Sequence, residues 1–121
     1  MLSWIFGEVQ ENVVHLRAKD KSSGYLEFNN ARVRWFLSIN EHDLPVHIRE
    51  KGQRTYRSIT IDNEELEFSS GFTDLHTKSY EHILKGEGFG MEEAQKSIQI
   101  VHDIRNTSIT KKGNLHPFFE K

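Results

Sequence analysis

Gly71 to Arg105 reads GFTDLHTKSYEHILKGEGFGMEEAQKSIQIVHDIR, and its periodicity predicts two amphipathic helices joined by a glycine-rich turn. In the first, Leu75 or His76, then Tyr80, Ile83 and Leu84, recur at the spacing that lines one helix face. Thr73 is the expected N-cap, with Asp74 in the first turn, where a helix start favours an oxygen acceptor and negative charge. Gly86 after Lys85 is the expected stop. In the second helix Met91, Ala94, Ile98, Val101 and Ile104 form one stripe. Glu92 and Glu93 stand at its start and Arg105 at its end, as the helix dipole favours. The residues upstream read as strands that need a covering layer, and these helices are expected to supply it.

The clearest upstream strand is Ala31 to Ile39. Ala31, Val33, Trp35, Leu37 and Ile39 share one face, Arg32, Arg34, Phe36 and Ser38 the other, and the apolar face is expected under the helices. Glu8 to Lys19 alternates in the same way, with Val14, Leu16 and Ala18 against Val13, His15 and Arg17. Asp20 to Ser23 is a polar turn, and Gly24 to Phe28 a second strand. Asn29-Asn30 tolerates left-handed backbone angles and predicts a hairpin into the third. Arg54 to Ile61 and Glu64 to Phe68 are two further strands around an Asp62-Asn63 turn. Strands followed by helices argue α+β, with a mostly antiparallel sheet of at least five strands and two C-terminal helices on one face.

Other segments break the alternation. Met1 to Phe6 resembles the last turns of a helix, with Gly7 its stop. Pro45 either opens a helical turn through Glu50 that ends at Gly52, or belongs to an extended excursion. Residues 108–121 have no period; they form a tail that either moves freely or docks Phe118 and Phe119 onto a neighbour.

A chain of 121 residues, 36% of them hydrophobic, is one compact domain with an ordinary core. A net charge of −2 with interspersed acids and bases gives no electrostatic reason to expect nucleic acid or a membrane surface. The absence of cysteine excludes disulfide and thiolate chemistry and fits a cytoplasmic protein. No apolar run is long enough to span a bilayer.

Two places can carry function. The sheet face bearing Arg32, Arg34, Phe36, Tyr25 and His15 is either a solvated face or an oligomer interface, where arginine and aromatics are enriched. The helix-start group Thr73, Asp74, His76 and Thr77 either caps the helix or meets an anionic ligand. GEGFG follows a helix and leads into another, so it reads as a helix–helix turn and not a dinucleotide fingerprint, which follows a strand. Seven histidines are present, but His76 and His82 fall on different helix faces and no metal-ligand spacing occurs. No nucleophile–base pair or acidic dyad stands out, so no residue is assigned as catalytic.

FSSGFTDLHTKSYEHILKGEGFGMEEAQKSIQIVHDIR, together with ARVRWFLSINEHDLP and GQRTYRSITIDNEELEF, closely resembles the C-terminal domain of the Gfo/Idh/MocA oxidoreductases. The matching branch oxidises UDP-N-acetylglucosaminuronic acid at C3 in lipopolysaccharide and O-antigen synthesis. The resemblance covers Met1 to about Thr107. It implies an NAD-binding Rossmann domain ahead of this one, and homo-oligomers formed through the open sheet face. The family's glycine-rich dinucleotide loop, its Glu-Lys-Pro lysine and its Gly-x-His-x-x-Asp histidine have no counterpart here. The resemblance therefore implies a fragment of a longer enzyme or a truncated gene product, inactive alone and without NAD of its own. Such a piece would line part of the UDP-sugar pocket, through Thr73, Asp74, His76, Thr77 and, at the end of the long strand, Asn40. The alternative is a stand-alone interaction module that uses the sheet face.

Overall fold

The computed structural model describes residues 2–70, 74–113 and 115–120. They form two compact units, one of residues 1–40 with 89–121 and the other of residues 41–88.

The first unit is built on a three-stranded antiparallel sheet of β1 (Val9–Arg17), β2 (Lys21–Phe28) and β3 (Arg32–Ser38), in that order. The two asparagines make the expected hairpin, with the Phe28 N–H donating to the Ala31 carbonyl at 2.8 Å. A second tight turn joins β1 to β2, where the Ala18 N–H donates to the Lys21 carbonyl at 2.8 Å. The register sets Val13 opposite Tyr25 and Tyr25 opposite Arg34, and likewise Val14, Gly24 and Trp35 in line. Alternation then sends the first trio to one face and the second to the other. The pairing of β1 shifts between Val14 and Leu16, so His15 sits at an irregularity in the ladder.

Val13, Val14, Tyr25, Leu26 and Phe28 are all buried. Residues of both faces are therefore in the core. One face is covered by α4 (Met91–Asn106), which receives the Asn12 side-chain amide on the Ile100 carbonyl at 3.3 Å. The helix α1 (Leu2–Phe6) meets α4 through Ser3 and Ser97, whose hydroxyls lie 3.2 Å apart. It ends at Gly7, φ +88°, as a left-handed glycine stop. At the start of α4 the Gly90 N–H donates to the Glu93 carboxylate at 2.8 Å, half of a capping box.

The second unit holds α2 (Val46–Glu50), the hairpin β4 (Ser58–Ile61) and β5 (Glu64–Glu67), and α3 (Leu75–Leu84). Pro45 precedes α2 and Gly52, φ +72°, follows it, which decides for the helical turn. Asp62 and Asn63 both have positive φ, as a type I′ hairpin turn does, whereas Asn29 and Asn30 turn their hairpin without the left-handed angles expected of them. Ile48 is the buried anchor, only 1% exposed.

Two expectations change. Among the described residues the strands divide into sheets of three and two, in place of one sheet of five. Period-two alternation identifies a strand but not its partner. The helices also part company: α4 lies on the three-stranded sheet, while α3 belongs to the second unit and every one of its residues is exposed. Tyr80, Ile83 and Leu84, expected in a core, face outward here.

Candidate functional site

Asp74 is the N-cap of α3 and not a first-turn residue; its backbone is left-handed, φ +62°, and its carboxylate makes no capping bond. A short polar side chain is what makes that conformation tolerable outside glycine. The Asp74 carbonyl accepts the Lys78 N–H at 3.0 Å, the first bond of the helix. His76 and Thr77 follow in the first turn, exposed. Thr73 lies outside the described residues. Asn40 belongs to the first unit. There its amide donates to the Asp20 carboxylate at 2.8 Å and its N–H to the Ser38 hydroxyl at 2.9 Å. Those bonds tie the end of β3 to the β1–β2 turn.

The glycine run leaves α3 by a Schellman motif. The Glu87 N–H reaches the His82 carbonyl at 2.8 Å, the Gly86 N–H reaches the Ile83 carbonyl at 3.0 Å, and Gly86 takes φ +76°. The Gly86 and Glu87 amides are thus spent on the end of α3 and the Gly90 amide on Glu93, and the run joins two helices where a dinucleotide loop follows a strand. Among the described residues no group of three His, Asp or Glu side chains could hold a metal. An open groove of about 330 Å³ lies along Gln53, Arg54, Thr55, Glu67, Ser69 and Ser70. Its polar groups largely satisfy one another, as with the Gln53 amide on the Thr55 carbonyl at 2.6 Å.

The sheet face read as an interface is occupied by the chain itself. Beyond α4 the Arg17 guanidinium holds the Thr107 carbonyl, and the Thr110 N–H donates to the Val14 carbonyl at 2.8 Å. Ile109 thereby forms a parallel bridge with Val14 along the outer edge of β1. The tail then crosses the face as a strap. Gly113 lies on the Tyr25 ring, so close that a Cβ added to it would stand 3.6 Å from the ring carbons. The Arg34 guanidinium donates to the Leu115 carbonyl at 3.4 Å. Lys112 pairs with Glu11, and its carbonyl faces His15 Nε2 at 2.5 Å. Phe36 stacks on His116 (centroids 5.6 Å apart) and meets the edge of Phe118 at 5.7 Å, while Phe119 stands edge-on to His15 at 6.4 Å. Arg32 remains exposed beside Glu27, 3.9 Å away. The tail, expected to be free or to reach a neighbour, here docks Phe118 and Phe119 onto its own sheet.

Burial sets the electrostatics of this face. It raises the Tyr25 phenol pKa, assisted by the Glu27 carboxylate that its hydroxyl meets at 3.4 Å. It lowers the His116 imidazole pKa, with the Arg34 cation acting in the same sense. The Glu11 carboxylate holds the Lys112 ammonium pKa above its usual value by hydrogen bonding and charge. Nothing in the sequence marks His15 and His116 as partners across the strap. The aromatic pair at the end of the tail is the one signal that points there.

An α+β chain with one helix-covered and one strapped sheet face, and no complete catalytic constellation among the described residues, is the architecture to be placed. No protein-family model matches the chain. Among solved structures it is similar to the WlbA (WbpB) dehydrogenase from Thermus thermophilus in complex with NAD and alpha-ketoglutarate. The two share 48% identity and a TM-score of 0.92 over 97% of this chain and 38% of that one. The same dehydrogenase in complex with NAD and UDP-GlcNAcA gives 45% identity and a TM-score of 0.90, again over 97% and 38%. Over nearly its whole length the chain thus matches a C-terminal region of a dehydrogenase of the WlbA type. It spans less than two fifths of those relatives.

Proposed function

We propose that this chain is the substrate-side and oligomerisation part of an NAD-dependent UDP-sugar dehydrogenase. The observation that carries the reading is the 48% identity over 97% of the chain to a dehydrogenase solved with NAD. In this reading the oxidation at C3 of a UDP-N-acetylglucosaminuronic acid is carried out by the dinucleotide-binding part of the longer enzyme. The present residues contribute to the sugar-nucleotide pocket; Thr73, Asp74, His76 and Thr77 are one candidate group, and Asn40, in the other unit, is a separate candidate. The exposure of Asp74, His76 and Thr77 supports this, since groups not consumed within the fold are available to a ligand. Copies meet on the side of the sheet carrying Arg32, Arg34, Phe36 and Tyr25. Since the strap lies over that face, the contact is made by the exposed Arg32 and the outer side of the strap. The compartment is the cytoplasm, where nucleotide sugars are made; no helix among the described residues is long and apolar enough to cross a membrane.

The test is a calorimetric titration of NAD and then UDP-GlcNAcA into the chain, with its mass in solution measured alongside. The expected result is no NAD binding, weak or absent sugar-nucleotide binding, and a dimer or larger. Tight NAD binding overturns the division of labour, and a monomer overturns the interface.

A further inference from the structure

His116 is built into the strap in a way that requires its neutral form. Its Nδ1 accepts the Phe118 N–H at 3.1 Å, so the lone pair on that nitrogen is in use. The proton of the neutral ring then resides on Nε2. Protonation places a second hydrogen on Nδ1, facing an N–H that can only donate. It also creates a cation in the field of the Arg34 guanidinium, whose own bond to the Leu115 carbonyl is one of the strap's anchors.

Among the described residues, the acidic groups near this ring are already engaged. Of the acidic side chains beneath the strap, Glu11 is engaged by the Lys112 ammonium, and Glu27 by the Tyr25 hydroxyl and Arg32. His15, on β1, is 3% exposed and turns its Nε2 to the Lys112 carbonyl. Its Nδ1 is buried without a partner among the described residues. Stacking on Phe36 alone favours a cationic ring. It stands against a reversed hydrogen bond, a neighbouring guanidinium and partial burial.

We infer that residues 109–113 and 115–119 form a proton-released strap, latched to the β1–β3 face while His116 is neutral and freed from it when that ring is protonated. Release uncovers Tyr25, His15 and Phe36. The inference stands on contacts within the first unit and does not depend on the dehydrogenase reading.

Amide hydrogen exchange of the full chain at pH 7.5 and 5.0, corrected for intrinsic rates, tests it. The probes are Thr110 and Phe119, whose N–H groups bond to the Val14 and His116 carbonyls. Protection at both is expected to fall about tenfold at the lower pH. In His116→Asn, whose amide oxygen can still accept the Phe118 N–H, it is expected to change less than about twofold. The β4–β5 ladder is the internal control and should hold in both proteins. An equal loss in wild type and variant overturns the proposal, as does a loss that includes β4–β5, which is global unfolding. A loss abolished by His15→Gln but not by His116→Asn assigns the switch to His15 and overturns it too. Should the variants fail to fold, the ring nitrogen spectrum of the wild type decides: a neutral His116 at pH 7.5 protonated on Nδ1 is incompatible with the latch.

Discussion

The indole of Trp35 lies against the bare α-carbon of Gly24, its cross-strand partner on the helix-covered face. A Cβ at that position would stand 2.6 Å from Trp35 Cζ2 and 2.3 Å from the Val13 carbonyl oxygen. Real Cβ atoms do not approach so closely, so the register of the sheet and the seat of the indole both depend on the absence of a side chain.

Gly24→Ala is therefore expected to destabilise the chain by about 2 kcal/mol through overpacking in a buried strand. Urea denaturation measures this. Adding Trp35→Leu should recover only part of the loss, because the Val13 carbonyl is backbone and cannot withdraw. Full recovery would show that the ring alone sets the constraint.

Ile48→Ala is expected to cost about 3 kcal/mol, combining lost transfer energy with the cavity left behind. Ile48 is the one buried side chain of the second unit among the described residues. Exchange protection should collapse in the β4–β5 hairpin and persist in β1–β3, since stability is local to cooperative units. Uniform loss across both units would show that they unfold together.

The pH response of the strap has a definite sign. The His116 pKa lies below the ordinary histidine value of about 6.5 because of burial first and Arg34 second. The released strap therefore binds protons more readily than the docked one. Its stabilisation is complete above about pH 6.5 and declines as pH falls from there through the docked-state pKa. Phe36→Ala removes the ring that covers His116 and should bring its titration, followed by proton NMR, back towards the ordinary value. An unchanged titration would mean that the burial Phe36 supplies is balanced by the cation-favouring stacking lost with it.

Glu11→Gln is expected to return the Lys112 ammonium to its usual pKa, read by heteronuclear NMR of the side chain. In the wild type that pKa is raised. The pair's contribution is thus present below the ordinary lysine value of about 10.4 and disappears as pH rises through the raised one. Lys112 is exposed and Glu11 partly so, and added salt should therefore weaken the effect in the same direction as the substitution.

Strand and helix identities were legible because alternation and 3.6-residue spacing report which side chains share a face. β3 could be read from Val33 and Trp35 against Arg34 and Phe36, and both hairpin turns from paired Asn and Asp residues. Partners were harder. β4 and β5 carry the same alternation as β1–β3, and nothing in Ile59 or Leu66 specifies a sheet of their own. The strap has no period at all; His116 and Phe118 act through ring geometry and one backbone bond. Asp74 illustrates the same limit at the candidate site, where its helix-start character was visible but its left-handed backbone was not.

The first unit is assembled from the two ends of the chain, with residues 41–88 set between them. During synthesis β1–β3 leave the ribosome well before the residues that cover them. The bond between Asn12 and Ile100 spans 88 residues, and that between His15 and Lys112 spans 97. Such distant pairing cannot form until residues 100 and 112 have been made, and it makes folding slow. Until Ile109 emerges, the edge of β1 is an open template for another nascent strand. The segment around Ile109 is thus the sheet's own guard against mispairing.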